Sequence, residues 1–316
     1  MESLKEYIYK VEPGLESRRL DLYLKNIMPW LSRTKIQNKI KSHQVFIEGK
    51  LTKSNRKVFG GEIISIIRKA KEDSKFHEKI EELNTLYEDD FFLVIDKPAG
   101  CTVHSTSKYL TNNIVDYLRK KRGNTIRLLH RLDHETSGVL LLSKNAYIHS
   151  IVGMMFETAR VKKEYTAIVR GIIKEDKGII DIPIGGCKNS AIRLKRGVDS
   201  SGQKSVTEYE VVWRGKKCTL VKVYPKTGRR HQIRVHLKEI GHPIVGDKMY
   251  SGSDDIFLKH IEGKLEDEEI SFLGMRRQAL HASGLSFFHP ILCDFLNLQS
   301  QLPVDMKNYL EKEEYI

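Results

Sequence analysis

The stretch Arg127-Leu-Leu-His-Arg-Leu-Asp-His-Glu-Thr-Ser-Gly138 places one carboxylate, Asp133, between a cationic segment and a turn. Its Thr-Ser-Gly end is typical of a turn, and the apolar residues Val139 to Leu142 that follow predict a buried strand. Asp133 is therefore expected on a loop held by a rigid sheet, where functional residues are often found. Taken alone, an aspartate in this setting is more often a turn or helix cap than a catalyst.

A second stretch, Pro225-Lys-Thr-Gly-Arg-Arg-His-Gln-Ile-Arg-Val-His-Leu237, is rich in Lys and Arg, contains no acid and follows a predicted strand. The polar residues Gln232, Arg234 and His236 alternate with apolar neighbours, which predicts a strand that carries the polar set on one face. Such a segment suits contact with phosphates. A plain solvated strand would show the same alternation.

The region beyond residue 76 predicts many short strands and few helices. The clearest helix runs from Asn145 to Ala159, where an apolar stripe recurs at helical spacing and is expected in the core. An acidic run at residues 254–269 is expected to form an exposed excursion. The order of elements favours an α+β domain with a mixed, largely antiparallel central sheet flanked by helices. Further strands are predicted at Phe91 to Ile95, Tyr165 to Val169, Val206 to Trp213 and Cys218 to Tyr224.

Residues 17–67 predict a small independent module. Ser17 is a candidate cap of a first helix that Pro29 ends, and a second helix is expected to start after Ser32. Two strands separated by a Gly-Gly pair are then predicted, at Val45 to Ile47 and at Ile63 to Ile67.

The excess positive charge of the chain is concentrated beside this module. Residues 31–75 hold twelve Lys or Arg against four Asp or Glu, although a solvated helix face would also be rich in charge. Residues 70–82 are charged and lack a strand pattern, as a linker would. We therefore expect one domain at residues 1–75 and a second at residues 76–316.

The net charge of +13 and an isoelectric point near 9.4 favour a polyanionic partner, which could be nucleic acid or an anionic membrane surface. The chain starts with polar residues and contains no run of about 18 apolar residues, which disfavours a membrane. We therefore expect a soluble, cytoplasmic protein.

Several metal and nucleotide sites are disfavoured. The four cysteines lie far apart and lack the paired spacing of structural zinc sites. His130 and His134 have the spacing of two zinc ligands on a helix, but the turn that follows would interrupt a helix. The segment Gly197 to Ser205 departs from a phosphate-binding loop because Gln203 separates its glycine from its lysine. No dinucleotide-binding glycine motif is present, so we expect neither a metal nor a cofactor.

Two parts of the chain resemble known families. The order of elements in residues 17–67, with Arg33-Thr-Lys35 and Val45-Phe-Ile-Glu-Gly-Lys50, resembles the alpha-L RNA-binding module of ribosomal proteins and RNA-modifying enzymes. The larger part resembles pseudouridine synthases that act on large-subunit ribosomal RNA and some transfer RNA. The segments that match in order and spacing are Asp96 to His104, His130 to Gly138, Lys163 to Ala167, Thr227 to Leu237, Gly241 to Asp247, Leu280 to Ala282 and Phe287 to Pro290.

This resemblance implies an isomerase that converts uridine in structured RNA into pseudouridine without metal, cofactor or energy source. It implies Asp133 as the catalytic carboxylate, Tyr165 as the active-site tyrosine and Arg234 as the basic residue that pairs with Asp133. Arg131 resembles the residue that fills the place vacated by a flipped-out base. We expect further RNA contacts at His130, which also shapes the loop, and at Arg33, Lys35, Lys39, Arg229 and Arg230.

The expected substrate is large-subunit ribosomal RNA, with transfer RNA as the second candidate, and the expected state is a monomer. A ribosome-assembly factor that binds RNA without catalysis would share the basic amino-terminal module, but the intact set of Asp133, Tyr165 and Arg234 argues against it. A glycoside or nucleoside hydrolase usually needs two carboxylates that flank the bond, and one is evident here.

Overall fold

The computed structural model describes residues 3–28, 31–70, 80, 83–104, 113–187 and 190–314. These residues form two compact units, one within residues 3–70 and one within residues 80–314. Pro29 and most of the predicted linker at residues 70–82 lie outside the described residues. None of the described helices has the length and apolar character needed to cross a membrane.

The amino-terminal unit combines two helices with short antiparallel sheets. Its strands are joined in the order β1-β6-β3-β4, and β2 pairs separately with β5. β1 was not predicted, because charged residues interrupt its alternation. The elements are β1 (Ser3–Lys10), β2 (Arg18–Arg19), α1 (Leu20–Ile27), α2 (Arg33–Lys41), β3 (Val45–Ile47), β4 (Lys50–Leu51), β5 (Lys57–Val58) and β6 (Ile63–Ala70).

The starts of the two helices differ from each other. Ser32 caps α2 as predicted, because its side chain accepts a hydrogen bond of 3.3 Å from the backbone N–H of Lys35. The predicted cap at Ser17 is wrong. The residues that follow it pair with β5 as a short strand, so the chain stays extended until Arg19, the residue before α1.

The second unit is built on one large sheet. Its strands follow the order β12-β15-β16-β11-β17-β10-β8-β7, with β18 paired to β17 and β9 to β10. The strands of this unit are β7 (Thr85–Glu88), β8 (Phe92–Lys97), β9 (Arg127–Leu128), β10 (Ser137–Ser143), β11 (Lys162–Arg170), β12 (Lys177–Asp181), β13 (Ile184–Gly186), β14 (Arg196–Val198), β15 (Val206–Arg214), β16 (Cys218–Pro225), β17 (Leu280–His289) and β18 (Asp294–Gln299). Of these, β13 and β14 pair with each other outside the large sheet. Its helices are α3 (Ile114–Arg122), α4 (Ala146–Glu157), α5 (Gln232–Glu239), α6 (Asp254–Glu262), α7 (Asp267–Leu273) and α8 (Val304–Lys312).

The pairing of these strands confirms the predicted α+β fold with a mixed, largely antiparallel sheet. β10 and β17 run parallel, whereas the neighbouring pairs such as β8 with β10 and β11 with β16 are antiparallel. Helices lie against the sheet because its strands alternate apolar side chains between two faces. Leu93 and Ile95 of β8 pack with α3, whereas Phe92 and Val94 pack with α4.

The predicted strand at residues 232–236 is wrong, because these residues form helix α5. Gln232, Arg234 and His236 are buried, and so are the apolar residues between them. Polar and apolar residues alternate along this helix although both kinds are buried, so the alternation imitated a strand. The acidic run at residues 254–269 contributes to α6 and α7, and no residue of α6 is buried.

A substitution at Gly138 tests the close contact between the parallel strands β10 and β17. Its φ is +108°, and an added Cβ would lie 2.2 Å from the backbone oxygen of Ala282. We therefore expect Gly138→Ala to lower the free energy of unfolding by about 2 kcal/mol or more. Gly153 of α4 is the matched control, since an added Cβ meets nothing within 4 Å there. Gly153→Ala should raise that free energy by about 0.5–1 kcal/mol. Equilibrium denaturation measures both, and equal effects would contradict this packing.

Candidate active site

The loop that carries Asp133 is fixed by a buried lysine. The fully buried Lys97 Nζ donates to the backbone oxygens of Pro98, His134 and Thr136 at 3.0, 3.1 and 2.7 Å. Within the loop, the Thr136 N–H donates to the Asp133 backbone oxygen at 3.1 Å. A buried ammonium must satisfy its donors, so Lys97 holds these carbonyls in one geometry and thereby orients the Asp133 turn.

Asp133 meets a cation from α5. Arg234 Nη1 donates to Asp133 Oδ2 at 2.7 Å, and His231 Nε2 lies 3.9 Å from the same oxygen. The Asp133 side chain is 31% exposed to solvent, whereas that of Arg234 is 9% exposed. The carboxylate is thus accessible from outside, while the cation that pairs with it is buried.

The orientation of Arg234 is set by a second carboxylate. Its Nε and Nη2 donate to Asp247 Oδ2 and Oδ1 at 2.7 and 2.9 Å, which is a bidentate pair. The guanidinium carbon also lies 4.9 Å from the centre of the Tyr250 ring. Asp247 is itself fixed, because its Oδ1 accepts the backbone N–H groups of Met249 and Tyr250 at 3.0 and 3.2 Å. Nη1 is therefore presented to Asp133 in a fixed direction.

The charges of the site keep Asp133 ionised. Burial alone would raise the pKa of Asp133, but the charges of His231, which is protonated only in strong acid, and of Arg234 and Arg230 outweigh it and hold that pKa well below its usual range. Burial and the charge of Arg234 lower the pKa of His231 to about 3, so its ring is neutral near pH 7. Burial opposes the charge of Arg234, but Asp247 and Asp133 raise the pKa of the guanidinium. Arg234 is therefore the main cation that balances Asp133 at neutral pH.

Tyr165 reaches the same site from the sheet. It lies in β11 opposite Val223, at an irregularity in the pairing with β17 between Glu164 and Thr166. Such a bulge re-aims a side chain. Burial and the negative charge of Asp133 raise the pKa of Tyr165, so its phenol is protonated at neutral pH.

These side chains line one cleft of about 380 Å³, which is in the size range of ligand pockets. Lys163 also lines it, and its Nζ donates to the Thr227 backbone oxygen at 3.0 Å. Burial and the charge of Arg229 lower the pKa of Lys163 to about 8. Within the described residues, no group of three or more His, Cys, Asp or Glu is arranged to hold a metal ion. The lining of the cleft also includes His130, Arg131, Phe156, Arg229, His231 and Leu280.

His130 and Arg131 occupy different environments although they are adjacent. His130 Nε2 accepts the backbone N–H of Leu141 at 3.0 Å, and its ring stacks on Phe156 with the centres 5.3 Å apart. Burial and the charge of Lys163 lower the pKa of His130 to about 3. Arg131 is exposed at the cleft. The geometry of His130 fits the expected role in shaping the loop.

The other predicted basic residues divide between the two units. Arg229 and Arg230 are exposed just before α5, and Arg229 Nε donates to the Lys204 backbone oxygen at 3.2 Å. Three more lie on α2 of the amino-terminal unit. There Arg33 donates to the buried Asp21 at 3.0 Å, Lys39 donates to Gln44 at 2.9 Å, and Lys35 is exposed.

The sequence alone did not predict roles for Asp247, Tyr250 or His231. Asp247 ends the segment Gly241-His-Pro-Ile-Val-Gly-Asp247, but an acid after a glycine is also typical of a turn. Its burial at 1% exposure becomes evident only once α5 is a helix, because Arg234 then projects towards it. The general rule that a buried acid needs a cationic partner could have linked Asp247 to a nearby arginine such as Arg234.

Comparisons with known proteins agree with this architecture. The RNA pseudouridylate synthase family matches residues 91–239. The chain is 33% identical over 304 residues to the uncharacterized RNA pseudouridine synthase YlyB of Bacillus subtilis, with 94% of each chain covered. It is 31% identical over 306 residues to ribosomal large subunit pseudouridine synthase D of Buchnera aphidicola, again with 94% of each chain covered. The solved structure of human RNA pseudouridylate synthase domain containing 4 has a TM-score of 0.57 at 27% identity and covers 76% of this chain and 95% of its own.

Asp133, Tyr165 and Arg234 all lie within the matched residues 91–239. The similarity to YlyB extends over 94% of both chains, so it includes far more than the cleft. From the fold, the site and this extent of similarity together, the chain belongs to the RNA pseudouridine synthase family.

Proposed function

We propose that this RNA pseudouridine synthase isomerises uridines of large-subunit ribosomal RNA, with Asp133 as its catalytic carboxylate. The single observation that carries the assignment of Asp133 is its ion pair of 2.7 Å with the buried Arg234 on the wall of the cleft. The RNA class is supported by relatives named ribosomal large subunit pseudouridine synthase D. Transfer RNA is the second candidate.

The reaction rearranges bonds within one nucleotide. The bond between N1 of uracil and C1′ of ribose breaks, the base turns in place, a bond between C5 and C1′ forms, and C5 loses its proton while N1 gains one. No net oxidation occurs. An ionised Asp133 acts on the ribose as nucleophile or as base, which requires the carboxylate that Arg234 stabilises.

Tyr165 and Arg131 handle the base. The Tyr165 ring lies on the same cleft as Asp133, where it can stack on the detached uracil. Because its phenol is protonated, it can take up the C5 proton only while it passes its own proton to another base, such as the Asp133 carboxylate. A uridine inside folded RNA must leave its stack to reach the cleft, at a cost of a few kcal/mol. We expect Arg131, which is exposed two residues before Asp133, to occupy the position that the base leaves.

The amino-terminal unit supplies affinity for RNA. We assign residues 1–75 to an alpha-L RNA-binding domain and residues 76–316 to the catalytic domain. Support comes from the helix–helix–strand order of α1, α2 and β3 and from the exposed basic side chain of Lys35. We expect the protein to act as a monomer. We also expect a cytoplasmic location, as for bacterial relatives named for ribosomal RNA.

Replacing Asp133 tests the catalytic assignment. We expect Asp133→Asn to abolish conversion of uridine while RNA affinity changes less than about threefold, because the amide keeps the shape but loses the charge. Pseudouridine-specific chemistry on transcribed ribosomal RNA measures the product. Asp255→Asn, on an exposed position of α6, is the control and should convert normally. Normal turnover by Asp133→Asn would refute the assignment.

The pH profile tests the role of Arg234. The depressed pKa of Asp133 keeps the carboxylate charged in acid, so its rate limb should lie well below neutral pH in the wild type. Without the guanidinium, burial raises that pKa, and Asp133 gains a proton as the pH falls. We expect the acid limb of the single-turnover rate to move up by at least about one pH unit in Arg234→Gln. Arg234→Lys keeps a charge and should move it less. An unmoved limb in Arg234→Gln would contradict the electrostatic role.

Lys35 tests the role of the amino-terminal unit. We expect Lys35→Ala to weaken RNA binding and to lower the slope of log affinity against log salt by about one, as for one lost phosphate contact. Thermal stability should not change, because the side chain is exposed. Lys307→Ala, at an exposed position of α8, is the matched control and should keep the wild-type slope. Equal slopes for all three proteins would count against an RNA contact at Lys35.

A further inference from the structure

His231 lines the cleft but takes no part in the ion pairs described above. It precedes α5 in the left-handed region, with φ 58° and ψ 16°, a conformation that non-glycine residues seldom adopt. Its side chain keeps 7% of its exposure. Residues held in such a conformation often belong to functional sites, so the direction of the His231 ring is of interest.

The hydrogen bonds of Tyr250 determine which nitrogen of His231 carries the proton. The Tyr250 hydroxyl accepts the backbone N–H of Arg196 at 3.0 Å and lies 3.1 Å from the Arg196 backbone oxygen, to which it can only donate. His231 Nδ1 lies 2.9 Å from the same hydroxyl. A hydroxyl has one proton and two lone pairs, so His231 must donate for all three bonds to form. This arrangement fixes the proton on Nδ1 and leaves Nε2 as an acceptor.

Nε2 of this neutral ring shares a small space with the reactive carboxylate. It lies 3.9 Å from Asp133 Oδ2, too far for a hydrogen bond, and both residues line the cleft. Burial and Arg234 lower the pKa of His231 to about 3, so the ring does not acquire a second proton near pH 7. Two acceptors therefore face the position of the substrate next to Asp133.

We propose that His231 Nε2 accepts a hydrogen bond from the 2′-hydroxyl of the target uridine, and that His231 is thereby a substrate-positioning residue. The inference rests on the proposed function, in which Asp133 acts on the ribose. In an internal nucleotide the 3′ and 5′ oxygens are esterified, so the 2′-hydroxyl is the single hydroxyl donor of the ribose. It lies on the carbon next to C1′, within reach of a group beside Asp133. It also distinguishes RNA from DNA.

The test combines an altered RNA with an altered protein. A short RNA substrate is made with either a 2′-hydroxyl or a 2′-fluoro group at the target uridine, since fluorine preserves the sugar pucker but cannot donate. For the hydroxyl RNA, the enzyme concentration that gives half the maximal single-turnover rate is measured, and for the fluoro RNA the dissociation constant. We expect His231→Phe to raise the first about five- to tenfold and to change the second less than about twofold.

Tyr250→Phe separates the proton position from the ring itself. It keeps an aromatic face beside Arg234 but removes the hydroxyl that holds the Nδ1 proton. We expect a loss of about two- to fivefold on the hydroxyl RNA and none on the fluoro RNA. A loss of equal size on both RNAs would assign Tyr250 and His231 to structural support and overturn the proposal.

The wild-type protein decides the matter even if the variants fold poorly. Its dissociation constant for the fluoro RNA should be about five- to tenfold larger than the enzyme concentration that half-saturates the single-turnover rate on the hydroxyl RNA. Equal values would overturn the role of His231, while normal conversion of the hydroxyl RNA would leave the proposed function intact. Absence of any pseudouridine in the hydroxyl RNA would instead refute the proposed function.

Discussion

The buried guanidinium of Arg234 is the interaction on which the site depends. Taking this cation out of water is costly, and the cost is offset only because Asp247 and Asp133 use its three nitrogen atoms at 2.7 to 2.9 Å. Asp247 is fully buried, whereas Asp133 is partly exposed. The two carboxylates therefore have unequal roles: Asp247 fixes the direction of the cation, and Asp133 uses that cation while facing the cleft. A lysine could not serve both, because it lacks the planar fork.

The fold brings these groups together from segments far apart in sequence. Asp133 and Arg234 are separated by 101 positions, and their ion pair requires that both the loop before β10 and helix α5 be rigid. Lys97 supplies rigidity to the first through backbone carbonyls. Beside the second, Gly246 permits a close approach of two backbone segments, because it has φ +77° and an added Cβ would lie 1.9 Å from the Arg277 backbone oxygen. The chain can thus pass close enough to place Asp247 under Arg234.

The sequence predicted the parts of this arrangement that depend on local pattern. The strand around Leu140 follows from a continuous apolar run, the strand around Val221 from its strand-like apolar pattern, and the helix that begins after Asn145 from apolar residues at helical spacing. Helix α5 could not be predicted in this way, because its polar and apolar residues alternate as in a strand although both kinds are buried. The partnership of Arg234 with Asp247 was also hidden, since it depends on that helix. The ion pair with Asp133 came from family resemblance alone, and no local pattern contains it.

The presence of two carboxylates on one cation has a consequence for reactivity. When a nucleotide fills the cleft and displaces water, the local dielectric falls and the attraction of Arg234 for Asp133 becomes stronger. A carboxylate held by an undivided positive charge would be a poor nucleophile and a weak base. Asp247 neutralises much of that charge through two hydrogen bonds, and the neutral ring of His231 adds none near pH 7. In the role that we propose for Asp133, Arg234 thus keeps the carboxylate ionised while Asp247 limits how strongly the guanidinium holds it.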